Sequence, residues 1–384
     1  MNKKLVILGS TGSIGKSTLD VVDKHSDRIE ILALSAHSNA DLLAEQVQKY
    51  RPRYVTLTDK EAFRLYKDKY DLPNTELLPS ESGIESLASH PDADIVLNAI
   101  VGAAGLKASL KAIESDKRLA LANKESMVIG GPLLNETASK TKAEIIPVDS
   151  EHSAIWQALF SGQKKEVKKI LLTGSGGPFR ETPKADFPSI TKEMALKHPT
   201  WNMGAKITID SATMMNKALE IIEAVYLFDM PPEKIEVVIH PQSVVHSMVE
   251  FIDSSIIAQM AGPDMRLPIA YALFYPDRIE SDNGHYDLTQ TPNLSFKKPD
   301  FEKFPVLPLA FDIAREGGTS AAVFNAANEA AVAAFLNDTV DFYRIPDIVI
   351  NTVERHQAIS RPTLDDILEA DRWARDIAVS YMEK

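Results

Sequence analysis

Short apolar runs alternate with helix-forming segments through about the first 150 residues, and this alternation limits the fold more than any other feature of the sequence. Segments such as Ser13–His25 and Asn39–Tyr50 carry apolar residues at helical spacing. Near-continuous apolar strands separated by helices indicate a parallel sheet that is covered on both faces. We therefore expect a doubly wound α/β domain over residues 1–149. Its strand-like runs are Lys4–Gly9, Glu30–Ala36, Arg53–Leu57, Asp94–Ile100, Arg118–Ala122 and Glu144–Val148.

A second region of strands and helices follows over residues 150–276. Two of its runs, Glu236–Ile239 and Val244–Phe251, are close in sequence and partly alternating, which favours a mixed or antiparallel sheet. A third run, Lys169–Thr173, precedes them. We expect a central α/β domain with its own sheet and with helices at Ser153–Phe160 and Ser211–Leu227.

A polar stretch separates this region from the end of the chain. Residues 277–304 contain Asn283–Gly284, Pro292 and Pro299, a composition typical of a linker.

Strand signals fade after the linker. Ala321–Leu336, Ile345–Ala358 and Leu364–Met382 have helical periodicity, and Thr363 with Asp366 matches a helix cap. The sequence predicts a C-terminal helical domain over residues 305–384.

Charge and composition exclude several classes of function. The 384 residues include 42 Lys and Arg against 54 Asp and Glu, and a net charge of -12 does not suit a general binder of nucleic acid. The absence of cysteine excludes disulfides, thiolate zinc sites and a cysteine nucleophile. No signal or transit peptide is apparent, and no apolar run approaches the roughly 20 residues of a membrane span. We expect a soluble, cytoplasmic protein without a membrane partner.

A glycine-rich turn lies between the first strand and the first helix. Gly9, Gly12 and Gly15 have the spacing G-x-x-G-x-x-G, a variant of the dinucleotide-binding pattern G-x-G-x-x-G. Glycines let a pyrophosphate approach the backbone, and the helix start attracts its charge. The alternative is a tight turn that binds nothing. The position in the first strand-helix unit favours a Rossmann-like nucleotide site.

The end of the second strand bears on the choice of cofactor. NAD enzymes usually place a carboxylate there to bind the ribose 2'-hydroxyl. Here His37, Ser38 and Asn39 come first, and the first carboxylate is Asp41. NADPH is therefore favoured over NADH, although no Arg or Lys is present either. Ser38 or Asn39 could also simply cap the next helix.

Two carboxylates follow the strand Glu144–Val148. Asp149 and Glu151 stand two residues apart, so they point the same way in an extended segment, at the strand end where ligands gather in α/β sheets. Hard oxygen donors of this kind suit Mg²⁺ or Mn²⁺. The alternative is a cap, formed by Asp149 or Ser150, for the following helix.

Three further segments have two interpretations each. Asn216 and Glu220 share a helix face with Lys217 beside them, which could bind a phosphorylated polyol and a metal or could be a solvated charged face. The glycine turn Leu171–Phe179 could bind phosphate or could be a plain loop. The loop 197–204, with Trp201 and Met203, is either a local packing element or a lid over a ligand.

Together these segments closely resemble the 1-deoxy-D-xylulose 5-phosphate reductoisomerases, NADPH-dependent enzymes of the non-mevalonate isoprenoid pathway. The similarity spans most of the chain, in the order of the family. The matching stretches are Gly9–Gly15, Ala122–Ser126, Val148–His152, Leu171–Phe179, His198–Trp201 with Met203–Gly204, Asp210–Lys217 with Leu219–Glu220, His240–His246 and Asn325–Glu329.

The resemblance implies roles by position. Metal ligands would be Asp149, Glu151 and Glu220, for Mg²⁺ or Mn²⁺, with Co²⁺ as a third candidate. Substrate would contact Lys124, Ser150, Glu151, Ser175, His198, Trp201, Ser211, Asn216, Lys217 and Glu220, and its phosphate would lie against Ser175, Ser211, Asn216 and Lys217. NADPH would contact Thr11, Gly12, Ser13, Ile14, His37, Ser38, Asn39, Asn123, Glu125 and Gly204. Residues 37–39 depart from a common Gly-Lys-Asn pattern of the family, which leaves the exact 2'-phosphate contacts open.

The resemblance also implies the reaction. A metal would act as a Lewis acid in a carbon-skeleton rearrangement of 1-deoxy-D-xylulose 5-phosphate, and the aldehyde formed would accept hydride from NADPH to give 2-C-methyl-D-erythritol 4-phosphate. Lys124, Glu151 and His198 are the catalytic candidates, without assignment of acid and base. The loop 197–204 would close as a lid, and the enzyme would be a homodimer.

Two rival functions remain at this point. One is another NADPH enzyme with a similar glycine turn, such as a homoserine dehydrogenase; a semialdehyde dehydrogenase would need the cysteine that is absent. The other is a nucleotide-binding protein without catalysis. Oxidation of NADPH with and without a divalent metal separates these possibilities.

Overall fold

The structure is a computed structural model that describes residues 2–71, 73–201, 203–280, 286–291 and 293–383. The turn signals at Asn283–Gly284 and Pro292 lie outside the described residues. The chain forms two compact units. Unit 1 comprises Met1–Ser126, Leu134–Ser153 and Asp264–Gly284, and unit 2 comprises Met127–Leu133, Ala154–Pro263 and His285–Lys384.

Unit 1 is built on a parallel sheet that has seven strands within the described residues, in the order β4-β3-β2-β1-β5-β6-β7. All of its strand pairs are parallel. The apolar runs form the strands because both faces are covered: Leu5 to Leu8 of β1 are fully buried. The predicted doubly wound sheet is confirmed. Its strands are Lys3–Leu8 (β1), Ile29–Ala36 (β2), Tyr54–Leu57 (β3), Glu76–Leu77 (β4), Ile95–Asn98 (β5), Arg118–Leu121 (β6) and Glu144–Pro147 (β7).

Helices follow these strands in the alternating pattern that the sequence predicts. Leu19, Val21 and Val22 of the first helix are buried, which is the apolar stripe of a helix that packs on a sheet. The helices in this part of the chain are Ser13–Lys24 (α1), Ala40–Tyr50 (α2), Lys60–Lys69 (α3), Gly83–Ala88 (α4), Leu106–Glu114 (α5), Lys124–Ser139 (α6) and Ser150–Leu159 (α7).

Unit 2 contains a mixed sheet with the order β11-β10-β8-β9. Strands β8 and β9 are parallel, whereas β10 is antiparallel to both β8 and β11. The predicted mixed sheet is confirmed, and it has an edge strand, Ile256–Met260, that the sequence analysis did not identify. Its strands are Val167–Gly174 (β8), Ile235–Ile239 (β9), Val245–Phe251 (β10) and Ile256–Met260 (β11).

Helices dominate the C-terminal part of the chain, as predicted. The last helix begins with a capping box between Thr363 and Asp366, which confirms that cap. The remaining helices are Lys192–Ala195 (α8), Ala205–Ala212 (α9), Met215–Phe228 (α10), Arg266–Phe274 (α11, part of unit 1), Val306–Glu316 (α12), Ser320–Leu336 (α13), Ile345–Glu354 (α14) and Leu364–Met382 (α15).

One predicted helix is wrong. The segment Ser211–Leu227 is not continuous, because α9 ends at Ala212 and α10 begins at Met215. Met214 between them has a φ of 62°, in the left-handed region that a right-handed helix cannot include. The break separates Ser211 from the residues on α10.

Among the helices of the described residues, none combines the length and the apolar character needed to cross a bilayer.

Candidate active site

The glycine turn of unit 1 is fixed by its own backbone. Gly9 has a φ of 90°, and the amides of Gly9 and Ser10 donate to the carbonyl of Ser35 on β2 at 3.1 and 2.8 Å. A Cβ atom on Gly15 would lie 2.4 Å from the carbonyl oxygen of Gly9. A side chain at position 15 would therefore separate the start of α1 from β1, which explains the glycine there.

The first residues of α1 form a helix terminus of the kind that can bind an anion. Gly12 is the N-cap residue, and no side chain caps this helix. Gly12 and Ser13 are exposed, while Thr11 and Ile14 are half-buried. The amides at such a terminus lack partners within the helix and carry a partial positive charge. The four predicted cofactor residues of this turn thus lie together at one helix start.

The tip of β2 is exposed, and the first acidic side chain after it, Asp41, is paired. His37 Nδ1 lies 2.7 Å from Oγ1 of Thr58, and Asn39 Oδ1 accepts from the amide of Leu42, so the predicted helix cap is confirmed for Asn39. Asp41 accepts hydrogen bonds from Lys69 and Tyr70, and these bonds hold its pKa below the usual value. The surroundings are compatible with a 2'-phosphate.

A second turn of unit 1 was missed by the sequence analysis. The strand order reverses between β1 and β5, and ligands of open α/β sheets bind outside the carboxyl ends of the strands at this point. The segment 100–105 follows β5 there, and Val101 at its tip is 70% exposed. The Gly102-Ala-Ala-Gly105 pattern after a strand was a usable signal. We therefore add this turn to the candidate cofactor site.

Two buried amide side chains hold the turn 100–105. Nδ2 of Asn123 donates to the carbonyls of Ile100 and Gly102 at 2.6 and 2.9 Å. Nδ2 of Asn98 donates to the carbonyl of Gly105 at 2.9 Å. Asn123 Nδ2 also lies 3.0 Å from Glu125 Oε2. The predicted cofactor residues Asn123 and Glu125 are thus both buried, and the side chain of Asn123 positions a loop.

The acidic segment after β7 forms a compact cluster within unit 1. Asp149 Oδ2 accepts from Nζ of Lys124 at 2.6 Å, and both side chains are largely buried. Asp149 Oδ1 accepts from the amides of Glu151 and His152, so Asp149 also caps α7, which begins at Ser150 rather than Ser153. Ser150 Oγ donates to Glu151 Oε2 at 2.6 Å. Lys124, Ser150 and Glu151 therefore lie close to Asp149.

In unit 2, the glycine-rich turn after β8 is hydrogen-bonded to His198 through Ser175. Ser175 Oγ accepts from the amide of Gly177 and lies 3.3 Å from Nε2 of His198. The amides of Thr200 and Trp201 donate to Nδ1 of His198, which places the proton of the neutral ring on Nε2. Burial, with a smaller contribution from the positive charge of Arg180, lowers the pKa of His198 to about 4. His198 is therefore a neutral hydrogen-bond donor at neutral pH.

Trp201 lies in the loop 197–204 of unit 2. Its ring is half-buried, with its centroid 6.2 Å from that of His246 on β10. Asn202 lies outside the described residues, and Gly204 is exposed at the start of α9. Trp201 thus covers a buried histidine of the sheet, a position compatible with a lid.

The charged residues at the start of α10 are buried. Glu220 accepts from Asn216 Nδ2 and Lys217 Nζ, both at 2.5 Å. Lys217 and Glu220 are 4% and 0% exposed, so the alternative of a solvated charged face is wrong for both. A Cβ atom on Gly174 would lie 2.7 Å from Cε of Lys217. The glycine-rich turn therefore approaches the lysine stem closely.

Ser211 completes the set in unit 2. It is half-buried at the end of α9, and a Cβ atom on Gly177 would lie 2.5 Å from its carbonyl oxygen. The glycine-rich turn thus contacts Ser211 and Lys217 as well as His198. Within unit 2 the fold brings together Ser175, His198, Ser211, Asn216, Lys217 and Glu220.

Comparison with known proteins identifies the family of this chain. The family model described as 1-deoxy-D-xylulose 5-phosphate reductoisomerase matches residues 5–131. Two models of the C-terminal domains of the same enzyme match residues 145–228 and 260–377. The chain belongs to the 1-deoxy-D-xylulose 5-phosphate reductoisomerase family.

Individual members of this family are similar over their whole length. The reductoisomerases of Prosthecochloris aestuarii and Chlorobaculum tepidum are each 50% identical to this chain, across 98% of it and 99% and 98% of their own lengths. A Zymomonas mobilis reductoisomerase solved with NADPH has a TM-score of 0.93 and 41% identity, with full coverage of both chains. A reductoisomerase solved with NADPH, fosmidomycin and magnesium has a TM-score of 0.93 and 40% identity over 99% of this chain and 98% of its own. The resemblance stated from the sequence is confirmed.

Proposed function

We propose that this protein converts 1-deoxy-D-xylulose 5-phosphate to 2-C-methyl-D-erythritol 4-phosphate, with NADPH and a divalent metal, in the non-mevalonate isoprenoid pathway. One observation carries the proposal: relatives described as this enzyme are 50% identical over 98% of the chain. Family membership makes the chain an NADP-dependent oxidoreductase with an isomerase step. It also makes this function better supported than the two rival functions, a homoserine dehydrogenase and a non-catalytic nucleotide-binding protein.

Most of the proposed NADPH contacts lie in unit 1, and Gly204 belongs to unit 2. The uncapped start of α1 would hold the pyrophosphate, and the tip of β2 at residues 37–39 would receive the 2'-phosphate. The cofactor named for two solved relatives is NADPH. Bound NADPH supplies the hydride. The proposed contacts are Thr11, Gly12, Ser13, Ile14, His37, Ser38, Asn39, Asn123, Glu125 and Gly204, to which the turn 100–105 is added.

The divalent cation would be held by Asp149, Glu151 and Glu220. These are hard oxygen donors, which fit Mg²⁺ or Mn²⁺, and Co²⁺ remains a candidate. Magnesium is named for three solved structures of the family. Bound there, the cation polarises the oxygens of the substrate as a Lewis acid. Lys124 donates to Asp149. With a cation bound to Asp149, this ion pair would weaken, and Lys124 would be available to bind substrate or to transfer a proton.

The substrate phosphate would lie against Ser175, Ser211, Asn216 and Lys217. The glycine-rich turn provides space for it, and Lys217 supplies a buried positive charge. His198 would donate a hydrogen bond from Nε2 without carrying charge. Trp201 would cover the bound substrate and exclude water. A small phosphorylated substrate agrees with fosmidomycin, a substrate analogue named for a solved relative.

We extend the proposal to domain organisation, assembly and location. Residues 1–149 would bind NADPH, residues 150–276 would bind metal and substrate, residues 277–304 would be a linker, and residues 305–384 would form a C-terminal helical domain. The edge strand β11 exposes Ile256 and Met260, an apolar edge that pairing in a homodimer would cover. A bacterial cytoplasm is the proposed location.

Turnover with defined components tests the proposal. Purified protein should oxidise NADPH only when 1-deoxy-D-xylulose 5-phosphate and Mg²⁺ or Mn²⁺ are both present, and a chelator should stop the reaction. NADH should give a lower kcat/KM, because no carboxylate at the β2 tip is available for its 2'-hydroxyl. Product analysis should show 2-C-methyl-D-erythritol 4-phosphate. Metal-independent turnover, or none with either metal, would contradict the proposal.

A further inference from the structure

A buried hydrogen bond in unit 2 connects the C-terminal helices to the helix that carries Ser211. Asn328 on α13 is fully buried, and its amide nitrogen donates to Oδ1 of Asp210 on α9 at 2.8 Å. The other oxygen of Asp210 lies 2.9 Å from Nζ of Lys206, one helical turn earlier. Asp210 is 1% exposed, and a buried carboxylate needs such partners to offset its desolvation.

The geometry points to Asn328 as a positioning residue for the substrate phosphate, acting through Asp210 on Ser211. The inference rests on the proposed function, because it concerns how the phosphate contacts of that site are held in place. Asn328 itself would not touch the substrate.

Helix α9 needs a tie to another element. It has eight residues, and helices shorter than about 12 residues are marginal without tertiary contacts. The pair between Lys206 and Asp210 lies within α9, so it cannot fix the position of the helix. Asn328 comes from α13 and can. Asp210 directly precedes Ser211, so a fixed carboxylate at 210 fixes the backbone of the phosphate contact.

Small shifts of α9 would have consequences at two places. The carbonyl of Ser211 is so close to Gly177 that a Cβ atom there would lie 2.5 Å away. After α9, only Thr213 and the left-handed residue Met214 precede α10, which carries Asn216 and Lys217. A displaced α9 would therefore disturb both the glycine-rich turn and the entry to α10, because a packed interior leaves little room for adjustment.

The chemistry of the asparagine side chain supports this role. Its neutral amide donates to Asp210 without adding charge. An aspartate at position 328 would instead place two negatively charged carboxylates next to each other in the interior. Within the described residues, Oδ1 of Asn328 has no hydrogen-bond partner. A buried acceptor without a partner is unfavourable. The hydrogen bond that Nδ2 donates to Asp210 offsets this unfavourable free energy.

Helix α13 also supplies a matched control. Asn325 lies one turn before Asn328, is equally buried, and its Oδ1 likewise has no partner within the described residues. Its amide nitrogen donates to Glu329 in the same helix, at 3.0 Å, rather than to α9. Asn325→Leu and Asn328→Leu therefore remove similar groups from similar surroundings, and only the second cuts the tie to Asp210.

The experiment compares these variants in the full-length enzyme. Asn328→Leu should raise the KM for 1-deoxy-D-xylulose 5-phosphate at least about tenfold, the size expected for losing a hydrogen bond to a charged group, and leave the KM for NADPH within about twofold. It should also speed amide hydrogen exchange of residues 205–214. Asn325→Leu should do neither. The exchanged pair Asp210→Asn with Asn328→Asp should recover only part of the lost affinity, because it restores the hydrogen bond with donor and acceptor exchanged but removes the ion pair between Lys206 and position 210.

Each outcome decides the inference. An unchanged substrate KM in Asn328→Leu, an equal rise in both KM values, or the same effect from Asn325→Leu would overturn it. If the wild-type protein does not turn over the substrate, the proposed function fails, and hydrogen exchange alone then decides the positioning role. Faster exchange of residues 205–214 in Asn328→Leu than in Asn325→Leu supports that role, and equal exchange overturns it.

Discussion

The two units each place a glycine-rich turn after a strand, but the turns work in different ways. In unit 1 the turn from Gly9 to Gly15 follows β1 and exposes the uncapped backbone at the start of α1. In unit 2 the turn begins at Gly174, the last residue of β8, and runs to Gly177. It is surrounded by side chains from other elements, including His198 and Lys217. One turn offers amides and a helix dipole, and the other provides room for a buried charge and a neutral imidazole.

The difference shows what a glycine motif can and cannot indicate. A backbone site is contained in the local sequence, because the strand, the turn and the helix start are contiguous. A side-chain site depends on which distant residues the fold brings to the turn. We expect mutations in the turn from Gly9 to Gly15 to affect the cofactor, and mutations in the turn from Gly174 to Gly177 and in the side chains around it to affect the substrate and metal.

Of the variants that test this separation of roles, Glu220→Gln should have the largest effect on activity. It removes a proposed metal ligand and the charged partner of Lys217, which lies 2.5 Å away. Loss of residues that only support metal ligands costs roughly 10- to 100-fold, so kcat should fall by more than about 100-fold. NADPH affinity, measured by fluorescence titration, should stay within about twofold.

Glu233→Gln is the control for this variant, because Glu233 is an exposed carboxylate paired with Arg315 and should retain full activity. Full activity in Glu220→Gln would remove Glu220 from the metal site. A parallel loss of NADPH binding would contradict the separation between the cofactor contacts at the first turn and the side-chain site around the second.

Alanine substitutions at one glycine of each turn should raise different KM values, the KM for NADPH in one variant and the KM for substrate in the other. Gly15→Ala places a Cβ atom 2.4 Å from Gly9 O and should raise the KM for NADPH at least about tenfold. Gly177→Ala places one 2.5 Å from Ser211 O, at a φ of 70°, and should raise the KM for substrate instead. Gly262→Ala, whose nearest neighbour would be 3.5 Å away, is the control. If both variants raise the same KM, the contrast between the turns is wrong.

The sequence predicted the glycine turn before α1 and the parallel sheet well, because both depend on local patterns. The spacing of Gly9, Gly12 and Gly15 and the apolar run before them needed no tertiary information. The turn 100–105 was missed for a physical reason. Its importance follows from the reversal of strand order between β1 and β5, and strand order is a property of the whole sheet.

The side-chain site could be predicted only through the family resemblance. Spacing put Asn216 and Glu220 on one helix face, but it could not show that the neighbouring Lys217 is buried against Gly174. The break at Met214 was invisible too, since nothing in its residue type favours a positive φ. The edge strand β11 and the tie from Asn328 to Asp210 likewise depend on partners distant in sequence.

Replacement of Trp201 by Ala should have a more moderate effect, confined to the substrate. It removes the ring contact with His246 and the cover that the lid would give. We expect kcat/KM for the substrate to fall roughly tenfold through weaker exclusion of water, with little change in the KM for NADPH. Trp201→Phe should keep most of the activity. Unchanged steady-state kinetics in Trp201→Ala would refute the lid.

Acidification should give the smallest effect, and it should start in the loop of unit 2. Burial lowers the pKa of His198 from 6.5 to about 4, so the folded loop binds fewer protons than the unfolded loop. The contribution of neutral His198 to the stability of the folded loop is therefore complete above pH 6.5 and is lost as the pH falls towards 4. Protonation also replaces the acceptor Nδ1, to which the amides of Thr200 and Trp201 donate, by a donor.

Trp201 fluorescence can report this change once Trp156 and Trp373 are replaced by Phe. Emission should shift between pH 6.5 and 4, before any change in far-ultraviolet circular dichroism, because the loop opens while the sheets of both units persist. His198→Asn supplies an amide oxygen that can accept from the same backbone amides but does not titrate, so its shift should be smaller. Identical acid transitions in the two proteins would mean that His198 does not control the loop.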